Sequence, residues 1–519
     1  MRLADHLEIA AQRYPDKEGF VYGENRWTFR QARDYAHAIA NRLADLPGLA
    51  ENAHLAILAR NDLRVTILQM GINYAGCAWV SLHDRNSAST NAQVANFTDC
   101  EVMFFHNALD AEVEDLKTLC PSIRTWICIN GTSRHGPSLD SWIEGHLRPF
   151  AYTTTRREDI AFIAPTGGTT GPSKGAEQTM RGTEAELVSI NARYFLGRKN
   201  VRLLTVAPLS HVAGHLAIGL LPSGGTSVIL DGFDSEKVLK TIESEKISHL
   251  FLPPTALYNI MTHPLAASTD YSSLQMLSTG AAPVAPEKFK EAVRLFGPVV
   301  WEGYGQTEAL IPLLMKGPDD YLTPEGAFRE DVVRSAGRAW EYVRIEIMDE
   351  EGNIVPRGER GEIVVRSAYL MKGYYKNPEA TDEVLRNGFL HTGDIGVMDE
   401  NGFVTIVDRK KEMIITGGFN VFPAEVEAVM NEHPAVLDCI VVGVPDEKWG
   451  EAIKAVVQLK PGVVVDCEAL RLHCRERLGG VKAPKSVEIW PDLPRSAVGK
   501  LLRREVRDQY WAGNWRSVG

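Results

Sequence analysis

The stretch PTGGTTGPSKG, residues 165–175, decides how this chain is read. It holds four glycines, three threonines and one lysine. Low side-chain bulk leaves backbone N–H groups open to a ligand, the hydroxyls add donors, and Lys174 adds a fixed positive charge, a set suited to a polyphosphate. The spacing is not that of the GxxxxGK phosphate loop, because Lys174 follows Ser173 where that loop needs a glycine. Taken alone, the stretch fits a phosphate cradle of another kind or a plain flexible surface loop.

At 519 residues the chain exceeds a single core, and at roughly 150 residues per domain it should form three or four structural units. A hydrophobic content of 44% with 24% charged residues is that of an ordinary globular protein. The net charge of -11 excludes a broad basic surface for nucleic acid or anionic lipid, and leaves room for a local basic pocket. Seven cysteines, at positions 77, 100, 120, 128, 439, 467 and 474, lack CxxC spacing and an even count, so neither a disulfide framework nor a zinc site is expected. They read as thiols in a reducing, cytoplasmic setting. MRLADHLEIAAQRYPDKE carries Asp5, Glu8 and Asp16 where a signal peptide needs an apolar run, and reads as an amphipathic helix ending near Pro15. Apolar stretches such as GHLAIGLLPSGGTSVIL break at Gly and Pro before the ~20 residues of a membrane span.

From about residue 25 to 130, helical patterns such as WTFRQARDYAHAIANRLADL alternate with short apolar runs such as HLAILA and EVMFFH. That is the rhythm of βαβ units and a parallel sheet covered by helices. It returns between about 200 and 300, where VRLLTVAPL, TSVIL, HLFLP and LQMLSTG read as buried strands with SEKVLKTIESEK and APEKFKEAVRLF as helices between them. After about residue 335, VRIEIMDEEGNIV, GEIVVRS and GFVTIVD predict antiparallel strands joined by tight turns. Beyond DRKKEM a compact α+β pattern begins, with Val426, Val429 and Met430 on one helical face, so a domain boundary is expected at about 408–411.

Four further segments combine glycine with functional side chains. In STGAAPVAPE, residues 278–287, a strand ends in small residues, so a flat ring can approach its backbone. EGYGQTEA, residues 302–309, sets an aromatic between two glycines and adds Thr307 and the Glu308 carboxylate, a candidate magnesium ligand beside a phosphate site. FLHTGDIGVMDENGFVTIVDRKKEMIITGGFNVFPAEVE, residues 389–427, offers Asp394 and Arg409. In LPRSAVGKLLRREVR, residues 493–507, Lys500 follows a glycine and precedes a cationic helix. Plain turns, packing and a solvated cation are the bland alternatives for these segments.

At these residues the chain resembles the adenylate-forming superfamily of acyl-CoA synthetases, aryl-CoA ligases, peptide-synthetase adenylation domains and firefly luciferase. The match runs over nearly the whole length, with TGGTTGPSKG, EGYGQTEA, HTGD, DRKKEMIITGG and PRSAVGK in order. Gly167 and Ser173 depart from the Ser and Pro common in such loops, which should alter mobility and leave Lys174 and the threonines in place. The resemblance implies an α/β fold: a large N-terminal domain, residues 1–408, of two doubly wound units and a distorted antiparallel β-barrel, then a small mobile α+β domain, 409–519, hinged near Lys411.

It also implies ATP, Mg2+ and coenzyme A as cofactors, with a small carboxylic acid as partner, no nucleic acid and no integral membrane; a homodimer stays open. By resemblance, Thr166, Gly168, Thr169, Thr170, Gly171 and Lys174 cradle the β- and γ-phosphates, Glu308 holds the metal, and Thr307 donates to the α-phosphate. Tyr304 stacks on adenine within the EGYGQ run of Glu302, Gly303 and Gly305, with Gly280, Ala281 and Ala282 close by. Asp394 accepts from the ribose, with Arg409 nearby. Lys500 bridges carboxylate and α-phosphate, and Gly417, Gly418 and Phe419 line a pantetheine tunnel. The acyl pocket is expected around His211, Val212, Ala213 and Ala217, with Ser278, Thr279 and Gly280. No Asp, Glu, Lys or Arg lies between Leu203 and Leu230, which disfavours amino-acid and dicarboxylate substrates. His211 reads either as a gate that orients the carboxylate or as a packing histidine; His215 reads equally well as structural. The small residues leave room for an apolar monocarboxylic acid, fatty first, aryl or alicyclic second. A carrier-protein-loading enzyme, a luciferase-like oxygenase sharing every motif quoted, and a non-catalytic AMP or acyl binder are the alternatives.

Overall fold

The computed structural model describes residues 2–151, 156–166, 174–409, 412–416, 419–446, 449–495 and 501–511. Two compact units divide the chain: residues 1–333, 339–344 and 365–390 form the first, and 334–338, 345–364 and 391–519 the second. Residues 391–408, read from sequence with the N-terminal domain, thus group with the C-terminal chain.

In the first unit the expected βαβ rhythm gives a seven-stranded sheet in the order Gly373–Tyr374, Lys174–Thr179, Ile160–Thr166, Ala78–Leu82, His54–Leu58, Cys100–Phe105 and Thr125–Cys128. The last five run parallel, while Lys174–Thr179 is antiparallel to Ile160–Thr166, with Thr166 opposite Lys174. The PTGGTTGPSKG stretch is therefore the tip of a hairpin whose two stems are strands; its residues 167–173 lie outside those described.

The second run of expected strands forms part of a nine-stranded sheet. Val300–Gln306, Met276–Gly280, His249–Leu252, Arg202–Thr205, Thr226–Ile229 and Glu18–Tyr22 lie side by side and parallel. Burial of Arg202–Thr205, Thr226–Ile229, His249–Leu252 and Met276–Gly280 on both faces explains why these four read as continuous apolar runs instead of alternating ones. Helices Ser235–Ser244 and Pro286–Phe296 fall where the patterning puts them. Both glycine-bearing segments, STG and EGYGQ, sit at carboxyl ends of adjacent parallel strands, where open α/β sheets bind ligands.

One sequence expectation shifts. The pattern starting at Trp27 is not helical throughout: Asn25–Thr28 is a strand, and the helix is Phe29–Ala44. Thr28 caps it by accepting from the Gln31 N–H while the Gln31 side chain accepts from the Thr28 N–H, and this reciprocal cap sets the start. The following helix, Leu63–Tyr74, is buried along its whole length and packs on Phe29–Ala44. Gly71 makes the approach possible, because a Cβ there would lie 2.7 Å from the Ile39 Cβ and 3.0 Å from the Ala36 carbonyl.

In the second unit, Phe389–Met398 pairs antiparallel with Val404–Arg409, setting Asp394 opposite Arg409. The C-terminal α+β pattern forms a sheet of Phe419–Val421, Ile414–Thr416, Gly450–Leu459 and Val436–Asp446, with Ser486–Ile489 parallel to Gly450–Leu459. Helix Pro423–Asn431 buries Val426 and Met430, with Val429 packed beside them, the face read from sequence. All seven cysteines are free thiols. Among the described residues no helix is long and apolar enough to cross a membrane.

Gly71→Val should destabilise the first unit by about 1–3 kcal/mol through overpacking, read as a lower urea midpoint with an unchanged m-value.

Candidate active site

Strand Val300–Gln306 ends in a tight turn that presents Thr307 and Glu308. The turn needs a positive φ at Leu310, +52°, an unusual conformation for a branched side chain. Three hydrogen bonds from two other segments hold it. Gln178 Nε2 donates to the Thr307 carbonyl at 2.7 Å, the Met371 N–H to the Glu308 carbonyl at 2.8 Å, and the Tyr374 hydroxyl to Glu308 Oε1 at 2.7 Å. Lys174 Nζ lies 4.8 Å above the ring centre of that same Tyr374. Burial and the Glu308 carboxylate together push the Tyr374 phenol far upward, so it stays a donor at any working pH.

The structure thus brings Thr166, Lys174, Thr307 and Glu308 into one assembly, through two residues that the sequence reading passed over, Tyr374 and Gln178. Their signal in sequence is weak: Gln178 reads as a strand residue, and GYY at 373–375 carries no motif. Gly168, Thr169, Thr170 and Gly171 lie outside the described residues.

Gly280 and Gly303 are opposite each other in neighbouring strands, and a Cβ on Gly280 would come within 2.4 Å of the Gly303 carbonyl. A glycine is required there. Ala281 follows with φ +68° and lies exposed, beside half-buried Ala282. Glu302, read with the nucleotide-binding run, is committed to the protein: its carboxylate accepts from the Val284 N–H at 3.2 Å and from Lys316 Nζ at 2.8 Å. Lys316 is 1% exposed and also donates to the Val333 carbonyl. Glu302 therefore shapes the loop after Gly280 from beneath. Half-buried Tyr304 sits between Gly303 and Gly305, opposite Leu314, and a Cβ on Gly305 would meet Ile311 Cγ2 at 2.6 Å.

His211 stands at the start of helix Val212–Leu220. Its Nδ1 is 2.8 Å from Ser210 Oγ, and its ring meets that of His83 edge-on at 5.4 Å. The ring keeps exposed area, yet burial and then the neighbouring His83 and His215 hold its imidazole down at about 4. One turn further on, burial lowers His215 but the Glu186 carboxylate, 2.8 Å from Nδ1, outweighs it and the pKa is raised. Glu186 is fully buried and also accepts from the Ile311 N–H at 3.3 Å, tying this pair to the segment after Glu308.

A small cavity lies beside this helix, lined by its Gly214, His215 and Ile218 face. Ala213 and Ala217, expected in the acyl pocket, point into packed protein and are 3% and 0% exposed; Val212 is half-buried. Ser278 and Thr279 are buried in their strand, Ser278 Oγ donating to the Leu250 carbonyl at 3.4 Å.

In the second unit Asp394 is 5% exposed, and its N–H donates to Thr392 Oγ1. Phe419 is 58% exposed, open to a ligand. Lys411, Gly417, Gly418 and Lys500 lie outside the described residues, as does the Arg409 side chain. No cluster of three or more His, Cys, Asp or Glu suited to a metal occurs among the described residues.

A family model described as AMP-binding enzyme matches residues 7–375, and one described as AMP-binding enzyme C-terminal domain matches 425–500. The medium/long-chain-fatty-acid–CoA ligase FadD8 of Mycobacterium tuberculosis is 34% identical over 99% of this chain and 91% of its own. Feruloyl-CoA synthase of an Amycolatopsis species is 39% identical over 68% of this chain and 70% of its own. Among solved structures, amide bond synthetase McbA from Marinactinospora thermotolerans superposes with a TM-score of 0.88 at 30% identity, covering 98% of this chain and all of its own.

The His215–Glu186 pair sets a pH dependence of known sign. The folded-state pKa of His215 lies above its unfolded value, so the pair's contribution is full below about 6.5 and is lost as pH rises through the raised value. The stability of wild type relative to His215→Gln should therefore shrink as pH climbs above about 6.5, measured as the gap between their urea midpoints.

Proposed function

Because the chain belongs to the family of AMP-binding enzymes, we propose that it is an ATP-dependent acid–CoA ligase. A carboxylate oxygen attacks the α-phosphorus of ATP, releasing pyrophosphate and leaving an acyl-adenylate. The thiol of coenzyme A then attacks the acyl carbon, AMP leaves, and a thioester remains. The observation that carries the reading is the Lys174–Tyr374–Glu308 assembly at the end of strand Val300–Gln306, a cation and an anchored carboxylate held by one side chain.

Each group has work suited to its chemistry. Lys174, with Thr166, Thr169 and Thr170, neutralises and orients the β- and γ-phosphates. Thr307 donates to the α-phosphate. Only one carboxylate oxygen of Glu308 receives a hydrogen bond among the described residues, so the other fits a hard cation. Mg2+ held by Glu308 would supply positive charge at the leaving pyrophosphate. The small residues Ala281 and Ala282, exposed and half-buried after Gly280, leave the flat adenine ring room, with Tyr304 stacking on it, and Asp394 accepts from the ribose hydroxyls with Arg409 nearby.

His211, neutral at working pH, offers a hydrogen bond to the substrate carboxylate without adding a charge that would pin it in the ground state. Lys500 supplies charge where it develops, between carboxylate and α-phosphate. Since the thiol must later reach the same carbon, the C-terminal domain turns about a hinge at Lys411, and Gly417, Gly418 and Phe419 line the path of the pantetheine arm. The substrate is a monocarboxylic acid with an apolar body, fatty first. An aryl acid is the second reading, favoured by the likeness to feruloyl-CoA synthase.

Pyrophosphate release with ATP, Mg2+ and a panel of fatty, aryl and alicyclic acids, with and without CoA, tests the proposal: multiple turnovers should require both acid and CoA. Lys500→Ala should lower adenylate formation by about a hundredfold or more while thioester formation from synthetic acyl-AMP stays within a few fold. Equal loss of both steps contradicts the role given to Lys500.

A further inference from the structure

The turn from Thr307 to Ile311 is gripped at both ends by side chains of one continuous segment, all within the first unit. Strand Lys174–Thr179 runs straight into helix Met180–Ile190, and Thr179 caps that helix by accepting from the Gly182 N–H at 3.0 Å. Gln178, near the end of the strand, donates to the Thr307 carbonyl at 2.7 Å. Glu186, in the helix, accepts from the Ile311 N–H at 3.3 Å. Lys174 opens the same segment.

Both side chains are fully buried. A carboxylate is expensive to bury, and an apolar residue of similar size fills such a place without that penalty. Gln178 Oε1 has no hydrogen-bond partner among the described residues, a defect that native cores seldom keep. Proteins break such packing rules chiefly at functional sites. What the two residues share is the turn: Gln178 gives a donor to its first residue and Glu186 an acceptor to its last, on either side of Leu310 with its positive φ.

The second oxygen of Glu186 faces another element. Glu186 Oε2 lies 2.8 Å from Nδ1 of His215, in the helix Val212–Leu220 that starts directly after His211. One buried carboxylate therefore joins the turn that presents Thr307 and Glu308 to the helix that follows His211. On the ligase reading, which this inference rests on, the turn serves the nucleotide phosphates and His211 the carboxylate of the acid. An oxygen of that carboxylate has to meet the α-phosphorus in line, and a misplacement of about 1 Å costs on the order of a hundredfold in rate.

We propose that Glu186 and Gln178 are positioning residues for adenylate formation. Gln178 fixes the turn to the strand of Lys174, Glu186 fixes it to the helix after His211, and acid and α-phosphate are thereby held in register. Neither side chain touches substrate. The demand ends once the adenylate exists, because the bond from acyl oxygen to phosphorus then sets the same distance covalently.

The test separates the two half-reactions in the full-length protein, for wild type, Gln178→Met, Glu186→Leu and Glu186→Gln. Acyl-AMP formation is measured with ATP and Mg2+ but no CoA, using whichever straight-chain acid from butanoic to hexadecanoic, or benzoic or cinnamic acid, the wild type activates fastest. Thioester formation is measured from the synthetic adenylate of that acid. Gln178→Met and Glu186→Leu should each slow acyl-AMP formation by about tenfold or more, with the KM for ATP and the thioester rate within about threefold of wild type. Glu186→Gln keeps an acceptor for the Ile311 N–H and offers a donor to the neutral His215 Nδ1, so it should recover most of the loss. Equal loss in both half-reactions, as a purely structural role produces, overturns the inference. An unchanged rate of acyl-AMP formation in either Gln178→Met or Glu186→Leu does the same, as does a Glu186→Gln variant no faster than Glu186→Leu. In each of these cases the wild type still makes adenylate and thioester, and the ligase reading stands. If Glu186→Leu fails to fold, the ratio of the two rates in Gln178→Met decides. If the wild type forms acyl-AMP with none of these acids, the ligase reading falls and the inference with it.

Discussion

Glu308 can serve a polyphosphate only if its carboxylate is held still, half out of water, beside a cation that it does not collapse onto. The protein meets that constraint by inserting Tyr374 between the two charges. The phenol binds Glu308 through its hydroxyl, and its ring face carries Lys174, so the cation and the carboxylate share one rigid side chain instead of neutralising each other. The rest of the first unit follows from keeping Tyr374 there. Gly373–Tyr374 pairs with Lys174–Thr179 as an edge strand, which joins the glycine-rich hairpin to the turn after Val300–Gln306. Gln178 of that same strand then fixes Thr307 from the other side. Two sheets are registered against each other by these few bonds.

The second constraint is steric. Gly280 and Gly303 approach so closely at the ends of two parallel strands that a Cβ on Gly280 would meet the Gly303 carbonyl at 2.4 Å, so only glycine fits there. The cost lies in the backbone next to it, where Ala281 and Leu310 take positive φ. The buried Lys316–Glu302 pair braces this region. It anchors the loop after Gly280 through the Val284 N–H, so the charge pair acts on position as well as on packing.

Much of this was legible in the sequence, and the reasons for the rest are physical. The parallel strands Arg202–Thr205, Thr226–Ile229, His249–Leu252 and Met276–Gly280 were visible because burial on both faces forces unbroken apolar runs. The glycine loops were visible because backbone access demands glycine. Tyr374 was not, since its role arises from a contact between segments almost two hundred residues apart in sequence, which no local pattern records. Glu302 looked like a ligand group by its place in EGYGQTEA, and only the fold reveals Lys316 across the strand pair. Ala213 and Ala217, expected from sequence at the acyl pocket, are buried in packed protein while Gly214 and Ile218 face a small cavity, a rotation that periodicity cannot resolve in a helix with no charged side chain.

The central claim is that the anchored carboxylate and the hairpin lysine together make an acyl-adenylate before any thioester appears. It is tested most directly by mixing the protein with ATP, Mg2+ and an accepted acid without CoA, quenching within one turnover, and weighing the products by mass spectrometry. The account predicts acyl-AMP in an amount close to that of the protein, with one pyrophosphate for each, consumed when CoA is added. ADP and phosphate as products, or thioester formed without a preceding acyl-AMP, would contradict it.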